Sequence, residues 1–168
     1  MELQEVLLKR RSVRRFSSGR IDREAIEYLL HAAMSGPSAC NKTPWEFYVV
    51  ETQEKIEELR KTTSFSKIEA PLAIVVAGNT ERFMPGLFRE FWVQDTSSAT
   101  ENILLAATDL GLGACWCGVY PVERSVKRVR EVLGISEDVI PLNIIWLGHP
   151  GEQTEARDQY DADKVHYL

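Results

Sequence analysis

The sequence predicts a layered chain of mixed helices and strands, α/β or α+β, folding as one unit over residues 1–168. Three observations carry that expectation. Helical and strand periodicities alternate along the whole chain. Two apolar runs, LAIVVAG (72–78) and LNIIWLG (142–148), read as strands buried on both faces. No internal repeat, linker or low-complexity stretch interrupts the pattern.

The elements follow in order. Leu3, Val6 and Leu7 recur at helical spacing, which predicts a short helix over 2–10. A second helix is expected over 22–34, with Asp22 as N-cap, Ile26, Leu29, Leu30 and Ala33 inward, and Gly36-Pro37 ending it. WEFYVVE (45–51) is aromatic and β-branched and reads as a strand, followed by a polar helix over 53–62. Residues 82–93 are aromatic and fit neither period. A long helix is expected over 94–110, with Ala99, Ile103, Ala106, Ala107 and Leu110 near one face and Gly111 at C′. ACWCGVY (114–120) reads as a strand, and VERSVKRVREVLG as a helix with Val126, Val129 and Leu133 inward. Residues 149–168 are polar, without core periodicity, and read as an extended tail.

Composition bounds the partners. The chain is 44% hydrophobic and 27% charged, with a formal net charge of -5. That balance argues against a nucleic-acid binder working through a broad basic face. No uninterrupted apolar run reaches the roughly 18 residues of a membrane span, so no membrane partner is expected. The charged N-terminus MELQEVLLKRR does not resemble a signal peptide. Cys40, Cys115 and Cys117 show no disulfide spacing, and a reducing, cytoplasmic location is the expectation.

Against this acidic background RRSVRRF (10–16) concentrates Arg10, Arg11, Arg14 and Arg15. Cations at a helix C-terminus gain about 0.3–1 kcal/mol each from its dipole. That accounts for Arg10 and Arg11 better than for Arg14 and Arg15, which lie beyond the helix. In an extended segment Arg10, Ser12 and Arg14 project to one side and Val13 to the other. Two guanidinium forks and a hydroxyl on one face can hold a phosphate and a polar ring edge. The spacing leaves a small-anion site and a solvated surface both open.

SGPSACNKTPWEFYVV (35–50) joins a helix end to a strand through small polar residues, a loop that either turns or closes on a flat ligand. GLGACWCG is not a dinucleotide fingerprint, because Gly111, Gly113 and Gly118 lie before and within a strand instead of opening a helix. His31, His149 and His166 sit at no metal-ligand spacing, and no metal site is expected. Cys115 and Cys117, two apart in a strand, share a face and read as a buried pair.

Together, RRSVRRF, GPSACNKTPWEF, ENILLAATDLGLGACWCGVYP and VIPLNIIWLGHPGE, in that order and spacing, resemble the FMN-dependent nitroreductase family, and the closing DKVHYL resembles its short members. The resemblance implies an α+β nitroreductase-like fold: a central mixed sheet flanked by helices, with a long helix at a dimer interface. It implies a homodimer holding two FMN molecules between its subunits, with the 149–168 tail reaching over the partner. The implied activity is NAD(P)H-dependent reduction of nitroaromatics, quinones or related acceptors by ping-pong hydride transfer. A dehalogenase or flavin-fragmenting enzyme of the same fold, or a flavin-binding redox module without turnover, remains open. By position, Arg10, Arg11 and Ser12 match residues near the flavin phosphate and ribityl chain. Arg14 matches the basic residue at the pyrimidine edge, with Gly118 beside it at the reacting ring. Pro37, Ser38, Ala39 and Asn41 match the loop from the other subunit, Cys117 and Gly118 the pair whose backbone nears N5, and Lys164 a C-terminal cation near the phosphate. Thr43 departs from the family, standing where many members carry Gln.

The tail yields a prediction. It carries Glu152, Glu155, Asp158, Asp161 and Asp163 against few cations, yet ends in the apolar VHYL. Alone it buries too little to order itself. Truncation after Asp158 is expected to lower both FMN occupancy and dimer stability, read from flavin absorbance and sedimentation. A truncated protein that keeps flavin and dimer at low micromolar concentration removes Lys164 from the site.

Overall fold

The computed structural model describes residues 1–168 and contains five helices and four strands. In chain order these are α1 (Leu3–Lys9), α2 (Arg23–Met34), β1 (Trp45–Val50), α3 (Gln53–Leu59), β2 (Leu72–Asn79), α4 (Phe91–Asp109), β3 (Gly113–Gly118), α5 (Glu123–Leu133) and β4 (Val139–Gly148). The strands form one sheet in the order β1-β2-β4-β3. All three pairings are antiparallel. The expected mixed sheet is thus corrected: parallel pairing is confined to an isolated bridge between Ser12 and Ala114.

The sheet has a helix layer on each side. On one face α2 and α4 bury Ile26, Leu29, Ala99 and Ile103 against Leu72, Ile74 and Ile145. On the other, Ile56 and Leu59 of α3 and Val126 and Val129 of α5 pack on Ala73, Val75, Ile144 and Trp146. β2 and β4 are covered on both sides, which is why they read as continuous apolar runs. No helix is long and apolar enough to cross a membrane.

Local chemistry sets the helix ends. The Asp22 carboxylate accepts from the Ala25 N–H at 2.7 Å and caps α2. α4 ends in a Schellman turn, with Gly111 at φ 71°, Gly111 N–H donating to Thr108 O and Leu112 N–H to Ala107 O. α4 begins three residues earlier than expected, because Phe91–Val93 continue its helical face and bury Trp92. Trp92 stacks on Phe83 at 5.1 Å and meets Tyr120 edge-on at 4.9 Å, which resolves the aromatic stretch 82–93 as a plug at one end of the sheet. The small residues Ala99, Ala106 and Ala107 do not form an outward stripe for a second subunit. They are buried within the chain, against α2 and the sheet.

Beyond Gly148 the chain bridges at Pro150 to Phe16 and then runs exposed to its end. Val165, Tyr167 and Leu168 remain outside every apolar cluster of the chain.

Gly113 and Gly148 face each other across β3 and β4. A Cβ at Gly113 would stand 2.8 Å from Val13 Cγ1, and one at Gly148 2.9 Å from Phe16 Cδ1. Their bare backbones therefore let the arginine-rich segment lie on the sheet. Gly113→Ala is expected to destabilise the fold by about 1–3 kcal/mol through overpacking, measured as a lowered denaturant midpoint with unchanged slope.

Candidate cofactor site

The arginine-rich segment is extended and held on two sides. The Val13 N–H donates to Ala114 O at 2.9 Å, tying the segment to the free edge of β3. From the other side Glu152 Oε1 accepts from the Arg14 and Arg15 N–H groups at 2.8 and 3.3 Å. The Arg15 guanidinium closes on Glu152 Oε2 at 3.0 Å. Val13 is buried, while Ser12 and Arg14 are exposed opposite it, as the alternation requires.

The four arginines have distinct partners. Arg15 is committed to Glu152. Arg10 pairs with Glu101 of α4 at 3.2 Å. Burial pushes the Glu101 carboxyl above its ordinary value, and Arg10 opposes that. Arg14 reaches only the Ser12 carbonyl, at 3.4 Å, and meets no carboxylate. Arg11 and Ser12 line a cavity of about 360 Å³ together with Thr154 and Arg157 of the tail. Arg157 was not foreseen. Its N–H donates to Leu8 O at 3.0 Å and brings it there from 146 positions down the chain, a placement no local pattern announces.

The Ala114 carbonyl leaves β3 on its unpaired side. By strand alternation the backbone groups of Trp116 and Gly118 leave on that side too, while those of Cys117 turn toward β4. A Cβ at Gly118 would meet no atom within 4 Å. Gly118 thus presents open space and free backbone, whereas Cys117 does not share that role. The Cys117 thiol is buried and donates to Phe65 O at 3.3 Å. Its partner thiol Cys115 and burial both push its pKa up. Both cysteines belong to the core beneath α3 and α5, as a buried pair.

The loop over Pro37, Ser38, Ala39 and Asn41 is shaped from within. The Ala39 N–H donates to Asp95 Oδ1 of α4 at 2.8 Å, and the Thr43 N–H to Ser38 Oγ at 2.9 Å. Burial raises the Asp95 carboxyl, and the Ala39 bond partly offsets this. Cys40, Asn41 and Thr43 all hold positive φ, at 49°, 54° and 43°. Thr43, which departs from the family's Gln, donates its N–H within this turn.

The two halves are anchored at separate points on α4. The loop hangs from Asp95 and the arginine segment from Glu101. Six residues apart on α4, these anchors lie about 9 Å apart along the axis and about 120° apart around it. Lys164 pairs with Asp161 at 3.1 Å and contacts none of Arg10, Arg11, Ser12 or Arg14. Histidine and acidic clusters able to hold a metal are absent.

Arg11 and Ser12 on one cavity fit a phosphate, with Arg10 nearby in the chain but paired to Glu101, while the open strand end at Gly118 and the unpaired Arg14 suit a flat ring with an anionic edge. Comparison with known proteins shows the family. The sequence profile of the nitroreductase family matches residues 7–64 and 60–149. The chain is 42% identical over 169 residues to a Methanothermobacter thermautotrophicus protein provisionally named an NADH dehydrogenase/NAD(P)H nitroreductase, covering 99% of this chain and 86% of that one. A protein of the same name from Archaeoglobus fulgidus is 40% identical over 98% of this chain and 97% of its own. The solved structure of an FMN-dependent nitroreductase from Clostridium difficile superposes with a TM-score of 0.88 at 32% identity, over 96% of each chain. With relatives named NAD(P)H nitroreductase and FMN reductase (NADPH), the chain is a flavin oxidoreductase. The chain belongs to the nitroreductase family.

The clasp gives a pH prediction. Hydrogen bonds from the Arg14 N–H and the Arg15 side chain hold the Glu152 carboxyl below its ordinary 4.5. A depressed acid stabilises the fold above its unfolded value, and the contribution fades as pH falls through the folded value. Loosening of the segment is therefore expected below about pH 4.5. Glu152→Gln should flatten that acid limb in cofactor retention against pH, while wild type keeps it.

Proposed function

We propose that two copies of this chain form an enzyme that holds FMN between them and carries hydride from NAD(P)H to a nitroaromatic, quinone or related acceptor in a ping-pong cycle. The observation that carries the reading is the Arg11–Ser12–Arg14 face, tied at Ala114 to the strand that ends open at Gly118. The names of the relatives support it: the Clostridium difficile nitroreductase is FMN-dependent, and a Bacillus subtilis protein 25% identical over 186 residues is an FMN reductase (NADPH). When bound, the flavin supplies the ring that accepts and returns hydride.

The chain's own residues bind, orient and balance charge. Arg11 and Ser12, with Arg10 released from Glu101, hold the phosphate. Arg14 has no carboxylate to neutralise it, so its charge is available to an anionic ring edge. Gly118 lets the ring approach the strand end with no side chain between, and its N–H faces that approach. Asp95 fixes the loop of Pro37, Ser38, Ala39 and Asn41, which reaches the partner's flavin. Lys164, carried on the exposed tail, adds a cation at the partner's phosphate. A dimer supports this arrangement because the loop and the arginine segment hang from different faces of α4. Apolar Leu3, Val6, Tyr28 and Leu105 line a groove between α1, α2 and α4 that a second chain would cover.

Arg14→Ala is expected to weaken FMN binding and lower the flavin midpoint potential, because a fixed charge at the reduced ring is lost. Photoreduction titration measures both. Full occupancy with an unchanged potential overturns the assignment.

A further inference from the structure

A second large cavity lies away from the site above. It has a volume of about 790 Å³ and lies between the 60–67 turn region after α3 and the start of α5. Arg60, Lys61, Lys67, Arg124 and Arg128 line it against one carboxylate, Glu57. In a chain of net charge -5 this is a local reversal of sign.

Four of these five cations have no carboxylate partner. Lys61, Lys67, Arg124 and Arg128 form no salt bridge; Arg128 only donates to Lys61 O at 3.3 Å. Arg60 pairs with the exposed Glu69 at 3.2 Å, but its Nε is buried with no acceptor. A second observation points the same way. Val122, Arg124 and Ser125, from the first turn of α5, line the cavity. Val122 at the N-cap offers no side-chain acceptor, so the helix opens there with uncapped N–H groups, and Glu123 is the only acid of its first turn. Ser64 adds a hydroxyl on the facing wall, where Thr62 and Thr63 spend theirs on Leu59 O and Ser66 Oγ. Cations without carboxylates, a helix start and a hydroxyl around one volume match an anion with several oxygens.

We propose that this cavity binds the phosphorylated ribose of a nucleotide, a group bearing two or more negative charges. Phe65, in the chain between lining residues Ser64 and Lys67, accepts at its carbonyl from Cys117, the residue before Gly118, and so links the cavity's turn to the strand that ends at the cofactor site. The group is therefore supplied either by the 2′-phosphate end of NADPH or by a free nucleotide. The first source rests on the reading above; the second does not.

The probe is 2′,5′-ADP, titrated calorimetrically into the flavin-loaded protein. Wild type is expected to bind it, more weakly as salt rises. The double variant Arg124→Gln/Arg128→Gln is expected to bind at least tenfold more weakly, with its flavin absorbance unchanged, since neither residue touches the cofactor site. Lys67→Gln gives a second, independent reduction. If KM for NADPH rises in the double variant while KM for NADH and kcat hold, the source is the reductant. If 2′,5′-ADP binding falls and both KM values hold, the source is a free nucleotide. Absent binding to wild type, or equal binding by the double variant, overturns the proposal. Flavin absorbance and NADH turnover in the same samples report separately on the flavin reading.

Discussion

The site depends on one constraint, the pinning of an extended arginine-rich segment between the Ala114 carbonyl and the Glu152 carboxylate. Neither contact is strong alone. The backbone bond contributes about 0.5–1.5 kcal/mol net, and the exposed ion pair less. Their effect is geometric. They fix the alternation that buries Val13 and turns Ser12 and Arg14 outward, so the charges hold one direction instead of sampling many. The bare Gly113–Gly148 pair is what allows the segment close enough for both contacts.

The sheet divides the labour between its faces. The α2 and α4 side supplies anchors, because Asp95 and Glu101 reach in two directions from one rigid helix. The α3 and α5 side buries the two cysteines and opens into the cationic cavity. β3, an edge strand, touches both regions. Its side chains alternate between them, and its outer backbone beyond Ala114 remains unpaired. An edge left open in this way is normally a liability for aggregation. Here a ligand would cover it.

Much of the fold was legible in the sequence because burial imposes periods of 2 and 3.6 residues on side-chain polarity. Asp22, Gly111 and the inward residues of α2 and α5 follow from local rules alone. The start of β4 did not, since Pro141 argues against a central strand. It is tolerated opposite a bulge, where the register with β2 shifts between Val76 and Ala77. Among site residues, Arg10, Ser12 and Arg14 were visible through their spacing. Glu152, Asp95 and Arg157 were not, since each acts on a segment far along the chain and carries no pattern of its own.

The loop at 38–43 has a further consequence. Cys40, Asn41 and Thr43 occupy the left-handed region without a glycine among them. Asn tolerates it, but a β-branched Thr does so rarely, and each such residue costs of order 1 kcal/mol. Glycine would remove that cost and admit many more shapes in the unfolded chain. By accepting the strain, the chain narrows its ensemble before any ligand arrives. Part of the entropy of shaping the loop is thus settled during folding, and a molecule that later meets it finds a surface already cast.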